Sequence, residues 1–218
     1  MEHDEAFERR LVIVCLLCGG SATVLYPVAM FAPLPERLAY LIAFAVGPLI
    51  SLGCLGLGRY LNRERRMVSA YLGQLFGIVA GVLLNAMLVV QGSNQLHFRR
   101  YLAEAGDESA RQSLKLMLRG VSTVQLGLDV SWDIFIGVAT VLFGFAFGCR
   151  HGVDRALGVL GVIAGAALLL LNLSTFPVPP GEAGSIDVGP AVALWFLAVS
   201  LRVLWVMRRQ PQSSGGTA

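Results

Sequence analysis

Long apolar runs dominate the sequence and limit the folds open to it. An α-helix of about 20 residues crosses a hydrocarbon core about 30 Å thick, so each run is long enough to span a membrane. Of the 218 residues, 56% are hydrophobic and only 14% are charged, which is typical of an integral membrane protein. We therefore predict an all-α fold, a polytopic transmembrane helical bundle with six spans, at about residues 11–32, 38–58, 67–91, 121–148, 156–176 and 188–207.

The segments outside the runs define the predicted organisation of the chain. Residues 1–10 are an N-terminal segment, residues 11–209 form a single six-helix membrane domain, and the polar tail at 210–218 is predicted to be disordered. An outer loop is predicted at 92–120, with a short amphipathic helix around Met117 lying on the membrane surface. The lipid bilayer is the one partner that the composition requires.

Basic residues predict the orientation. The segment RYLNRERR at 59–66 is the strongest cluster of positive charge, and it lies on the same side as both termini in a six-span topology. Because basic residues collect on the cytoplasmic side, we predict that the N-terminus and the C-terminus are both cytoplasmic. The loop at 92–120, which also carries several basic residues, points the other way.

A polar stripe interrupts the fourth span. Gln125, Asp129 and Asp133 lie at positions i, i+4 and i+8, so they share one helical face. At 1.5 Å per residue, Asp133 lies about 25 Å from Arg150 and Asp129 about 31 Å, which puts both acids near the outer boundary. Ionisable groups inside a membrane are costly and indicate function by default.

Three further polar residues lie at a similar depth in other spans. The same measurement puts Tyr26 about 24 Å from Arg10, Asn85 about 28 Å from Arg66, and Asn172 about 25 Å from Arg155. If these side chains face the bundle together with the aspartates, they line a polar pocket that is open to the outside. Such a pocket suits a cation, an amine, a proton or another small solute.

The segment NLSTFPVPPGEAGSIDVGP at 172–190 predicts a rigid, acidic hairpin, since its prolines fix the backbone and its glycines allow tight turns. Glu182 and Asp187 are then candidates for a lid over the polar layer. Asp187 alternatively caps the last helix. Both interpretations stay open.

A structural interpretation of the stripe also stays open. The fourth helix is long, so Asp129 and Asp133 would contact head-group water while Trp132 lies in the interfacial aromatic belt and Arg119 neutralises part of the charge. On that interpretation the chain is a membrane interaction or sensory component that transports nothing.

The sequence contains no recognisable catalytic or metal site. It lacks H-E-x-x-H and G-x-S-x-G, and its three histidines lie in terminal or loop positions. Cys15 and Cys18 have the spacing of a metal or redox pair, but they lie in an apolar helix without further ligands nearby. We predict no cofactor, no metal and no nucleic-acid partner, and an enzymatic role is disfavoured.

Glycine recurs at helical spacing. Gly73, Gly77 and Gly81 repeat every four residues, and Gly161 with Gly165 has the same spacing. A face without side chains lets another helix approach closely, either within the chain or in a homodimer. Packing within the chain is the favoured interpretation, and homodimerisation through these faces is the alternative.

The last third of the chain resembles a known family. Asn172, TFPVPP, EAG and IDVGP followed by LWFLAVS, within residues 143–209, are similar to an uncharacterised bacterial multi-pass membrane family, a domain of unknown function. The resemblance implies a helical bundle in a bacterial inner membrane. It implies no activity.

Overall fold

The structure, a computed structural model, describes residues 2–209. This part of the chain is all-helical and contains no strand. All its helices are long and apolar enough to cross a bilayer, which confirms the predicted six-span, all-α fold. The predicted tail at 210–218 lies outside the described residues. The helices are α1 (Glu2–Phe31), α2 (Glu36–Glu64), α3 (Val68–Glu104), α4 (Glu108–Gly148), α5 (Val153–Thr175) and α6 (Gly189–Arg209).

Consecutive helices pack against each other, and α6 contacts both α5 and α1, so it closes the bundle. We call the end where the described chain starts and finishes the termini end. There Arg59 of α2 pairs with Glu8 of α1 at 3.1 Å. We call the opposite end, where residues 32–35, 105–107 and 176–188 connect the helices, the far end. The candidate site described below lies at the far end.

The predicted outer loop at 92–120 is instead helical, apart from a turn at 105–107. The segment contains no proline and is rich in strong helix formers, so α3 and α4 continue beyond their apolar parts. The Asp107 side chain caps α4 by accepting a hydrogen bond from the Ala110 amide at 2.7 Å. The helices have 37 and 41 residues, about 55 and 61 Å, so they extend past a 30 Å core as a hairpin. The predicted surface helix is therefore the start of α4.

Small residues let the helices of this chain pack closely against one another. Gly73 of α3 lies against the ring of Phe143, and Gly77 lies against the Cys54 side chain. Gly73, Gly77 and Gly81 are all buried. Neighbouring helices of the same chain therefore cover this glycine face of α3, as expected for packing within the chain.

Two aromatic side chains fix α6 within the bundle. Trp195 packs on Gly161 of α5, where an added Cβ would lie 2.6 Å from the indole ring. Phe196 lies where Gly19 of α1 and Gly53 of α2 meet, at positions that leave no room for a larger residue. Both aromatic residues are 6% exposed, so α6 contributes large buried side chains to the core between α1, α2 and α5.

Candidate functional site

A close crossing of α4 and α5 builds the candidate site. Gly137 of α4 and Gly165 of α5 meet backbone to backbone, because a Cβ on Gly165 would lie 2.7 Å from the Gly137 carbonyl oxygen. Asp133 lies one turn before Gly137 on the same face of α4. Asn172 lies two turns after Gly165 on α5. The crossing therefore brings Asp133 and Asn172 into contact.

Asn172 is a buried amide whose hydrogen bonds are only partly satisfied. The residue is 1% exposed. Its Nδ2 donates to Asp133 Oδ2 at 3.0 Å and to the Leu168 carbonyl oxygen at 3.0 Å, which uses both amide hydrogens. Its Oδ1 is buried and has no partner. Leaving such an acceptor unsatisfied costs about 1–3 kcal/mol, so a hydrogen-bond donor that reached Asn172 Oδ1 would stabilise the site.

Further carboxylates surround this pair. Asp129 lies one turn before Asp133 on α4 and is half-buried. Asp187, from the connection between α5 and α6, interacts electrostatically with both Asp129 and Asp133. Glu182 of the same connection interacts with Asp129. Residues far apart in sequence thus build one acidic region at the far end.

In the part of the chain that the structure describes, no basic side chain balances this acidic region. Within residues 2–209, none of Asp129, Asp133, Glu182 and Asp187 forms an ion pair. Arg119, which the structural interpretation uses to neutralise the acids, is exposed and pairs with none of them. Because carboxylates repel one another in a medium of low dielectric constant, the region favours a bound positive charge.

Trp132 is packed into the protein. Its side chain is half-buried and contacts both clusters of buried core residues, including the one formed around Leu84 and Leu88 of α3. An interfacial belt residue would be directed toward lipid. The α4 segment from Asp129 to Asp133 is therefore anchored to the bundle from two sides, by Trp132 toward α3 and by Asp133 toward α5.

Tyr26 and Gln125 lie at the edge of the site. Tyr26 of α1 is 38% exposed and interacts electrostatically with Asp129, Asp133 and Asp187. Gln125 is half-buried one turn before Asp129, and its side chain forms no hydrogen bond with the described residues. The structure thus brings an aromatic ring from α1 and a free amide from α4 to the acidic region.

Asn85 does not join this group. It faces α2, where its Cβ lies 2.7 Å from the position that a Cβ added to Gly47 would occupy. With Ser51 and Pro48 it lines a groove of about 530 Å³ between α2 and α3. The face of α3 that carries Leu84 packs toward α4 instead. Counting residues gives the depth of a side chain along a helix but not its direction around the axis. Among residues 2–209, no hydrogen bond joins Asn85 to Asp133, and their predicted link stays a prediction.

The connection at 176–188 is compact. The Ser185 amide donates to the Pro180 carbonyl oxygen at 2.8 Å, and Gly184 has the positive φ of 74° that glycine adopts without strain. Asp187 accepts a hydrogen bond from the Gly189 amide at 2.8 Å, so it does cap α6. The same carboxylate also interacts with the two aspartates of α4, so the capping and site interpretations of Asp187 are compatible.

The acidic region is not arranged as a chelating site. Across the described residues, no group of three or more His, Cys, Asp or Glu side chains is placed to hold a metal ion. Divalent cations in proteins require several oxygen ligands at about 2.0–2.6 Å. The arrangement therefore suits a positive charge held by one carboxylate and neighbouring neutral oxygens.

An ionic network that was not predicted from the sequence lies at the termini end. Arg202 of α6 pairs with Asp154 of α5 at 2.7 Å. Arg150 donates to the Tyr60 hydroxyl at 2.8 Å and lies 4.0 Å from Asp154. The available signal was a pair of opposite charges, Asp154 and Arg202, at the same end of adjacent spans.

Comparisons with known proteins identify no relative: no family model matches the chain, and neither the curated proteins nor the solved structures contain a match. The chemistry of the site therefore rests on its own residues.

Proposed function

We propose that this multi-pass membrane protein binds a small cation at the far end, beside the hydrogen-bonded pair Asp133 and Asn172, and moves it toward or through the bundle. The observation that carries the proposal is the contact between Asp133 and the buried Asn172, whose side-chain oxygen Oδ1 has no partner. A carboxylate and an unsatisfied amide oxygen side by side offer two acceptors to one donor-bearing cation.

A protonated amine fits this arrangement best. An ammonium group carries up to three hydrogens, enough to donate to Asp133 and to the Asn172 oxygen while keeping water or another oxygen as a third partner. Tyr26 supplies an aromatic ring at the edge of the site, and rings attract organic cations. The surplus of carboxylates draws positive charge to the site and excludes anions.

We also propose that the protein lies in a bacterial inner membrane and that both of its termini are cytoplasmic. The basic residues around the termini end support this orientation. The resemblance of residues 143–209 to a bacterial multi-pass family supports the inner membrane of a bacterium. The far-end site then lies on the side of the membrane opposite the cytoplasm.

A panel of cations tests the proposal by thermal unfolding of the purified full chain in detergent. The panel contains Na⁺, K⁺, choline and primary alkylamines of increasing length at matched ionic strength. At about 100 times its Kd, a bound ligand stabilises the protein by about 2.7 kcal/mol, which corresponds to a shift of roughly 5–10 °C for a chain of this size. We expect amines to give this shift and choline, which has no N–H donor, to give a smaller one.

Two variants separate specific binding from a general charge effect. Asp133→Asn keeps the shape of the side chain but removes its charge, so it should abolish the shift. Glu104→Gln removes one negative charge from the exposed far-end hairpin, where Glu104 pairs with Arg100, and should leave the shift intact. Equal shifts in wild type and Asp133→Asn would refute the proposal and favour a sensory or interaction role that involves no transport.

A further inference from the structure

The termini end contains a small cavity, built where two helices end. α2 ends at Glu64 and the chain turns through extended residues Arg65 and Met67 before α3 begins. The Met67 amide donates to the Asn62 side chain at 2.8 Å, which fixes this turn. α4 ends beside it, at Gly148. The turn and the end of α4 together enclose a cavity of about 140 Å³.

The lining of this cavity, which we call the turn pocket, combines apolar and cationic groups. It consists of Leu61, Arg65, Met67, Ala146, Cys149 and Arg150. Its volume is below the 300–1,000 Å³ of sites for drug-sized ligands and equals that of about five water molecules. The pocket therefore suits a single phosphate-sized group and not a whole nucleotide.

The two arginines of the pocket differ in how they are held. Arg150 is fixed by the Tyr60 hydroxyl, with its guanidinium 4.7 Å from the centre of the Tyr60 ring. Arg65 is exposed and forms no hydrogen bond or ion pair with the described residues. These two arginines, which both line one small cavity, are suited to hold an anionic oxygen group, since guanidinium donors match phosphate geometry.

We propose that the turn pocket binds the phosphate of an anionic phospholipid. The pocket lies at the end of membrane-spanning helices, and its apolar residues Leu61, Met67 and Ala146 adjoin the arginines. A free phosphate ion would gain nothing from those apolar groups, whereas a lipid places its glycerol and upper acyl carbons beside them. Basic pockets between transmembrane helices bind acidic lipid head groups in this way.

Cys149 provides a local readout of occupancy. It lines the pocket and is exposed, whereas Cys15 and Cys54 are buried. The full chain is reconstituted in nanodiscs of phosphatidylcholine alone, or with increasing phosphatidylglycerol, and the alkylation rate of Cys149 by the neutral reagent N-ethylmaleimide is measured by peptide mass spectrometry. We expect phosphatidylglycerol to slow this alkylation with a saturable dependence on its mole fraction.

Matched arginine variants test whether the pocket itself is responsible. Arg66→Gln removes a neighbouring exposed charge that does not line the pocket, and so measures the general surface effect. Arg65→Gln also removes a charge-assisted hydrogen bond, so the phosphatidylglycerol fraction needed for half-protection should rise about tenfold more than in Arg66→Gln. Equal changes in the two variants would overturn the proposal.

The source of the phosphate is tested with soluble compounds. Inorganic phosphate and glycerol phosphate, added to phosphatidylcholine nanodiscs, should not protect Cys149. Protection by either compound that matches phosphatidylglycerol would overturn the lipid assignment. Protection that is absent in every lipid mixture would overturn the site itself.

Discussion

Neutralising Asp133 tests whether its charge stabilises or destabilises the folded protein in the absence of ligand. In Asp133→Asn the new amide oxygen still accepts the 3.0 Å hydrogen bond from Asn172 Nδ2. What is lost is the added strength of a charged acceptor, about 1 kcal/mol. What is relieved is the cost of holding a carboxylate inside the bundle without a counter-ion, about 2–3 kcal/mol for a half-buried group when a fully buried ion costs several.

The difference predicts that Asp133→Asn raises the free energy of unfolding by about 1–2 kcal/mol in the absence of amines. The assay is denaturant unfolding of wild type and variant in the same detergent at neutral pH, followed by tryptophan fluorescence. We expect this behaviour of a binding site, because a buried charge that is needed to bind a ligand lowers the stability of the ligand-free protein. A variant that is less stable than wild type by more than about 1 kcal/mol would refute this reasoning and make Asp133 structural.

A double-mutant cycle isolates the contact between the two side chains. Asn172→Ala leaves Asp133 without its donor, so it should destabilise the wild type by about 1.5–3 kcal/mol. In the Asp133→Asn background the same change should cost less, since only a neutral hydrogen bond is lost. Equal costs in both backgrounds would mean that the 3.0 Å contact carries no coupling.

Three further predictions address the scaffold. The first two are checked by the same unfolding assay, and the third by amide hydrogen exchange. Gly165→Val places side-chain carbon against the Gly137 carbonyl oxygen, so we expect a loss of about 1–3 kcal/mol, and unchanged stability would contradict the close crossing of α4 and α5. Arg202→Met leaves Asp154 without its 2.7 Å partner and should lower the free energy of unfolding by up to about 3 kcal/mol. Adding Asp154→Asn should restore most of this loss. A double variant as unstable as the single one would argue against the ion pair. Asp107→Ala removes the cap of α4 and should loosen only the hairpin, by about 1 kcal/mol, seen as faster amide hydrogen exchange near 108–111 with the bundle unaffected.

Hydropathy predicted the six spans because a membrane-spanning helix leaves a strong signal in a single sequence. Residue counting also placed Asp133 and Asn172 at one depth, and their side chains are in contact. Both successes depend on distance along the helix axis, which the constant rise per residue determines.

Direction around the helix axis was the part that could not be read from the sequence. Asn85 lies at a similar depth but faces Gly47 on α2, because packing between glycine-rich faces sets the rotation of α3. The hairpin at 92–120 was predicted as a loop because polar residues stop a hydropathy signal without stopping a helix. The partner of Arg202 was missed for a related reason, since only the fold shows that α5 and α6 place Asp154 beside it.

Calorimetric titration in lipid nanodiscs is the most direct test of the central claim, that Asp133 and Asn172 form one cation site. The titrant is the amine that most stabilises the wild type, and the proteins are wild type, Asp133→Asn and Asn172→Ala. We predict one saturable site per chain in wild type, no detectable binding by Asp133→Asn, and binding weakened about 10- to 160-fold by Asn172→Ala, the cost of one hydrogen bond to a charged donor. Wild-type affinity in Asp133→Asn would contradict the claim.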